Sequence, residues 1–193
     1  MNILITGVAG FIGFSLSKYL LKTNKNIKIY GIDSLNHYYS PRLKKERIKN
    51  LMKFKKFKFK KINISNSKTL NEYLKNIKFE LVINLAAQAG VRYSLTNPEE
   101  YVYSNQIGFF NILNFCKKKK IKLIYASSSS VYGEYKKFPT KEIQSLNPKN
   151  IYSVTKLGNE LFADIFSKFY GLEVIGLRFF TVYGEWGRPD MFI

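Results

Sequence analysis

Tyr152 and Lys156, four residues apart in YSVTK, are the pair best suited to chemistry in this 193-residue chain. The segment has helical periodicity, so the two side chains share a face. A lysine beside a phenol stabilises the phenolate and draws its pKa of about 10 toward neutrality. Such a phenolate can take a proton from a hydroxyl while a hydride leaves the same carbon. Alone, Y-x-x-x-K arises by chance, and an exposed Tyr–Lys pair is its plain reading. The run YASSSSVYG at 125–133 shifts the balance. It closes a strand with four hydroxyls, and ligands of open parallel sheets gather at the carboxyl ends of strands.

A second constellation lies at the N-terminus. Gly7, Gly10 and Gly13 form G-x-x-G-x-x-G after a strand-like run and at the start of a helical pattern. That spacing serves a tight turn, a close backbone approach to a pyrophosphate, and tight helix–strand packing. The helix N-terminus adds free N–H groups and a partial positive charge. Asp33 follows Gly13 by 20 residues and closes the second strand. There a carboxylate accepts hydrogen bonds from ribose hydroxyls and repels a 2′-phosphate, which points to NAD over NADP.

These residues need a frame to hold them. Short apolar runs at 3–6, 27–33, 57–64, 81–85, 123–127 and 174–177 read as six strands. Helical patterns fall near 11–22, 41–53, 67–76, 98–118 and 149–170, with Pro41, Pro98 and Pro148 near starts and Gly171 at an end. The alternation predicts an α/β fold, a Rossmann-type doubly wound parallel sheet. With no repeat or composition break, residues 1–193 read as one dinucleotide-binding domain.

Composition bounds the rest. Hydrophobic content of 46% describes a globular chain, and no apolar run reaches the roughly 18 residues of a membrane span. MNILITGVAG has no basic leader, so no signal peptide is expected. The single cysteine, Cys116, excludes an internal disulfide and fits a reducing, cytoplasmic setting; its apolar neighbours suggest a buried, inert thiol. One histidine, His37, cannot build a histidine metal site, and no metal is expected. The net charge of +19 favours anionic ligands such as a nucleotide diphosphate. FKKFKFKK at 54–61 has the lysine–aromatic alternation of a single-strand nucleic-acid surface. The plainer reading is an edge strand in a 3-2-1-4-5-6 sheet, guarded by Lys58 and Lys60 with Phe57 and Phe59 turned inward. Nucleic-acid binding is therefore not expected.

Together the glycine turn, SSSSVYG and the Tyr152/Lys156 pair resemble the extended short-chain dehydrogenase/reductases that act on nucleotide sugars. LAAQAGVRYSLTNPEEYVYSN at 85–105 looks like the UDP-glucuronate 4-epimerases, and DSLNHYYSPRLK at 33–44 and RFFTVYGEWGRPDM at 178–191 support the same likeness. The resemblance implies Tyr152 as base, Ser128 as the hydroxyl on the sugar's 4-oxygen, and Lys156 on the nicotinamide ribose. It implies that NAD is lined by Phe11, Ile12, Asn36, Asn63, Ile64, Leu85, Ala86, Ala87 and Asn105. Arg92, Ser130, Thr181 and Arg188 fall at the substrate end. A homodimer through helices 98–118 and 149–170 is implied in the same way.

Departures accompany the likeness. Asn63 stands where the family usually has an aspartate facing the adenine. The family continues past this point into a smaller domain that completes the nucleotide-sugar pocket, so residues 179–193 are only the start of the substrate-binding region. The likeness therefore implies that most of a C-terminal substrate domain is not included in residues 1–193. Among rival chemistries, dehydration needs an acid and a base where Ser129 and Ser130 stand, and serines titrate too high for that task. Decarboxylation of a 4-keto uronate and a non-catalytic remnant remain as alternatives.

Overall fold

Strand β1 (Asn2–Thr6) sends Ile3 and Ile5 to one face and Leu4 to the other, and this alternation organises the whole molecule. The computed structural model describes residues 1–134 and 139–189. The last residues of the expected substrate-binding region, 190–193, lie outside the described residues. Around β1 run β2 (Lys28–Asp33), β3 (Phe57–Lys61), β4 (Leu81–Asn84), β5 (Lys122–Ser128) and β6 (Val174–Phe179). They form one parallel sheet ordered β3-β2-β1-β4-β5-β6, as the sequence predicts. The order reverses between β1 and β4, and such a switch opens a crevice at the strands' carboxyl ends.

Helices α1 (Phe11–Thr23) and α2 (Pro41–Met52) lie over Ile3, Ile5, Ile29 and Phe57. On the other face Leu4, Tyr30, Ile32 and Val82 pack under α3 (Ser67–Leu74), α6 (Gly108–Lys119) and α7 (Ile151–Tyr170). Helices cover both faces of the central strands, which is why those strands read as continuous apolar runs. Cys116 is fully buried there, and burial pushes its thiol well above the usual range, as an inert core thiol requires.

The sequence pattern and the structure differ in three places. The segment read as strand to Ile64 leaves the sheet after Lys61, because Asn63 Oδ1 accepts the Ser65 N–H and turns the chain. The single helix anticipated at 98–118 is three pieces: α5 (Pro98–Tyr101), a π-helical turn Val102–Ile107, and α6. A short helix, α4 (Tyr93–Thr96), precedes them. Helix α7 is oriented by a capping box in which Asn150 and Ser153 exchange hydrogen bonds, a device contributing about 1 kcal/mol. The first half of its buried face is polar (Ser153, Thr155, Lys156, Asn159) and the second half apolar (Ala163, Phe166), while Val154, Leu161, Ile165 and Phe169 are exposed.

The two sheet edges are unlike. On β3, Phe57 is buried and Lys58 and Lys60 are exposed, the guarded edge the sequence predicts. On β6, Ile175 and Leu177 are 41% and 40% exposed, and no described strand pairs beyond them.

Candidate active site

The cleft at the switch point has a volume of about 410 Å³ and is lined from four directions. Its floor is the turn between β1 and α1. Gly7 holds φ +69°, and its N–H donates to Ile32 O at 2.8 Å. A Cβ on Gly7 would stand 2.6 Å from Ala86 N, and one on Gly13 would stand 2.3 Å from Gly7 O. Neither position tolerates a side chain, so the backbone of the turn approaches both helix and β4 as closely as atoms allow. Gly10 caps α1 without a side-chain hydrogen bond, so the first-turn N–H groups are left to a ligand.

The second wall follows β2. Asp33 lines the cleft and accepts N–H bonds from Ala9 at 3.0 Å and Leu35 at 2.8 Å, one on each oxygen. Burial pushes its carboxyl above the ordinary range, opposed by those two N–H groups and by the charges of Lys44 and Arg47. Each oxygen keeps a lone pair for a further donor. Asn36 donates to Gln88 Oε1 at 3.0 Å and accepts from the nearly buried Lys44 ammonium.

The third wall follows β4. Thr6 Oγ1 donates to Asn84 Oδ1 at 2.6 Å and accepts from Ala86 N at 3.1 Å, which fixes the chain as it leaves the strand. Leu85, Ala86 and Ala87 therefore face the cleft. Asn105, on the π-helical turn, accepts the Gln88 N–H at 2.7 Å and donates to Gln88 O and Thr155 Oγ1, both at 3.0 Å. It stays buried behind the lining and joins the β4 loop to α7, one residue before Lys156.

The fourth wall is the end of β5 facing α7. Ser128 Oγ accepts from Ser130 Oγ at 2.8 Å, and its hydroxyl is close enough to the Tyr152 phenol to influence its ionisation. Burial pushes the Tyr152 phenol up, opposed by the Ser128 hydroxyl and the nearby Arg188 charge. The Lys156 ammonium is buried, donates to Ala126 O at 2.8 Å, and lies 5.8 Å from the Tyr152 ring centre. Desolvation lowers its pKa to about 8. The sequence argument expects Lys156 to draw the phenol down; here Lys156 is spent on a strand carbonyl, and burial governs the tyrosine instead.

Of the residues singled out from sequence, Gly7, Gly10, Phe11, Ile12, Gly13, Asp33, Asn36, Asn63, Ile64, Leu85, Ala86, Ala87, Ser128, Ser130, Tyr152, Lys156, Thr181 and Arg188 all line this one cleft. Asn105 stands behind it. Arg92 is exposed at the start of α4 and outside the lining. Sequence reasoning missed Lys44 and Gln88. Lys44 had a signal, since it shares the inward stripe of α2 with Arg47, Ile48 and Leu51 at helical spacing.

A doubly wound parallel sheet with a glycine turn at its switch point and Ser, Tyr and Lys at the facing strand end defines a Rossmann-type domain of the extended short-chain dehydrogenase/reductase kind. Residues 4–192 match the family described as GDP-mannose 4,6 dehydratase, and the chain belongs to it. It is 49% identical to protein CapI of Staphylococcus aureus over 99% of this chain and 57% of that protein. It is 41% identical to UDP-glucuronate 4-epimerase 4 of Arabidopsis thaliana over 99% of this chain and 44% of that enzyme. Among solved structures it is similar to UDP-glucuronic acid 4-epimerase from Bacillus cereus in complex with UDP-glucuronic acid and NAD. The TM-score there is 0.91 at 38% identity, covering 99% of this chain and 60% of that one. The chain thus spans between 44% and 60% of the length of these relatives.

Proposed function

We propose that this chain is the cofactor-binding part of an NAD-dependent nucleotide-sugar 4-epimerase that interconverts UDP-glucuronate and UDP-galacturonate. The observation that carries the reading is the convergence of Ser128, Tyr152 and Lys156 on a cleft whose far end is the glycine turn and Asp33. The residues fit a dinucleotide. The uncapped α1 N-terminus and the Cβ-free turn suit a pyrophosphate, and Asp33 has acceptor capacity left for ribose hydroxyls. When bound, NAD would supply the reversible two-electron oxidation of the sugar's 4-carbon.

The chain's own groups handle protons and position. Tyr152 takes the proton of the 4-hydroxyl and later returns one. Ser128 holds the 4-oxygen through the hydroxyl that already meets Tyr152. Lys156 lines the cleft with two ammonium donors left beyond its bond to Ala126 O, and these would hold the nicotinamide ribose. Thr181 and Arg188 lie at the cleft mouth, where a guanidinium pairs with a carboxylate or diphosphate. Arg92, exposed in the free chain, belongs to the same substrate end in this reading. Ser129 and Ser130 also line the cleft, and their hydroxyls favour epimerisation over dehydration despite the family's description. The exposed apolar face of α7 suits a homodimer through that helix, and the buried thiol suits the cytoplasm.

The test joins the C-terminal part of a close relative to this chain and follows the two UDP-sugars by chromatography. The expected result is epimerisation that Tyr152→Phe abolishes. Equal turnover with phenylalanine at 152 would overturn the mechanism.

A further inference from the structure

Arg47 is among the most buried large side chains of the protein, yet no carboxylate pairs with it among the described residues. Its guanidinium is instead spread over backbone. Nη1 donates to Ala9 O at 2.8 Å and to the Tyr39 hydroxyl at 2.6 Å; Nη2 donates to Trp186 O at 2.5 Å and Gly187 O at 3.3 Å. Nε is buried without a partner. Burying a cation without an ion pair is costly, and here the guanidinium fork reaches from the phosphate-binding turn to a stretch of chain 140 positions beyond Arg47 in sequence.

What it joins is informative. Ala9 belongs to the phosphate-binding turn, and its N–H is also held by Asp33. Trp186 and Gly187 immediately precede Arg188, which lines the cleft near the Tyr38 ring, 5.9 Å from its centre. Trp186 packs on Phe14 of α1 with ring centres 5.2 Å apart, and it holds a left-handed φ of +67°. A bulky residue keeps that conformation only where its surroundings impose it. Trp186 is outside the cleft lining, so its packing serves the segment and not a ligand directly.

We propose that Arg47 is a positioning residue: it fastens the segment 184–187 to the phosphate-binding turn, so that occupancy of the turn and the placement of Arg188 are coupled. What Arg188 meets, an anionic group of a nucleotide sugar, rests on the function proposed above; the coupling does not. A ligand that orders the turn also orders Ala9 O, the shared acceptor, and through Arg47 stabilises the docked segment. By linkage, loosening the segment must weaken binding at the turn by the same factor.

Trp186 is the only tryptophan, so its emission reports the segment. The 193-residue chain is titrated with NAD while Trp186 quenching by acrylamide is followed. NAD should shield Trp186 in the unmutated chain. In Arg47→Lys, which keeps the charge but has one nitrogen for several acceptors, NAD should bind about five- to tenfold more weakly and Trp186 should no longer be shielded by it. Wild-type NAD affinity and shielding in Arg47→Lys overturn the proposal, because a charge alone then suffices. Should that variant not fold, Trp186→Ala gives an independent reading: NAD affinity about fivefold weaker supports the coupling, and unchanged affinity removes it. Neither readout uses a sugar nucleotide. Failure to epimerise in the restored protein, with these shifts present, would cost the function and leave the coupling intact.

Discussion

At the β1–α1 turn the cleft is shaped by what the chain lacks, Cβ atoms at Gly7 and Gly13; at the β5–α7 end it is shaped by what the chain adds, the side chains of Ser128, Tyr152 and Lys156. The first wall is backbone against backbone, with closest approaches under 3 Å for any added carbon. The second, at the β5–α7 end, is polar groups held by hydrogen bonds on the N-terminal half of a helix face whose other half is apolar. The difference teaches where each wall is brittle. A change at the first wall should damage fold and binding together; a change at the second should damage chemistry and leave the fold.

Gly13→Ala is the hardest blow to the first wall, because its Cβ would sit 2.3 Å from Gly7 O, a backbone atom with nowhere to go. A loss of about 3 kcal/mol in denaturant unfolding is expected, with NAD binding lost alongside. A variant as stable as the parent that binds NAD normally would dissolve the distinction between the walls.

Lys156→Met tests the second wall through pH. The folded pKa of Lys156 is lowered to about 8 from 10.5 by burial, so below about pH 8 the folded chain bears the cost of a buried charge. Between those values the unfolded chain binds more protons, and stability therefore rises with pH, by up to about 3 kcal/mol from this group. Methionine abolishes that gain. The stability of the parent relative to Lys156→Met should climb as pH rises from 8 toward 10.5. Parallel pH profiles for the two proteins would show that Lys156 is not desolvated in the way described. In the restored enzyme, turnover should be lost while the fold persists.

The smallest expected effect belongs to Asp33, which braces the first wall through Ala9 N. Asp33→Asn keeps an acceptor for one backbone N–H and removes the charge. The preference for NAD over NADP should narrow by about tenfold in calorimetric titration. No change in the ratio would mean that Lys44 and Arg47, not Asp33, set the local field.

Much of this was legible in the residues. Strand order and the guarded β3 edge followed from period, Gly7, Gly10, Gly13 and Asp33 from glycine spacing, and Tyr152 and Lys156 from the YSVTK segment; the other cleft-lining positions, Ser128 and Leu85 to Ala87 among them, came from the family resemblance. Other features were illegible for an equally physical reason. Asn105 acts through a π-helical turn that no hydrophobic period announces, and its partners are Gln88 and Thr155. Arg47 stands on the inward stripe of α2, but its partners, chiefly carbonyls on distant segments, could not be read from that stripe. Backbone acceptors carry no residue-type signal, so a buried cation satisfied by them leaves no trace in composition. The pull of Lys156 on Tyr152 was inferred from spacing, whereas desolvation, a property of packing, decided it.

The β6 edge, which no strand among the described residues covers, also bears on how the chain behaves as a material. Lysines make approach at β3 a matter of charge against charge, which salt relaxes. At β6 the exposed Ile175 and Leu177 flank a row of outward main-chain groups that carries no such toll. Crowding therefore acts on one margin only. Turbidity in a concentrated sample should respond to a charge placed at position 177 and be indifferent to one removed at position 58, so the colloidal character of the chain is one-sided even though its sheet is continuous.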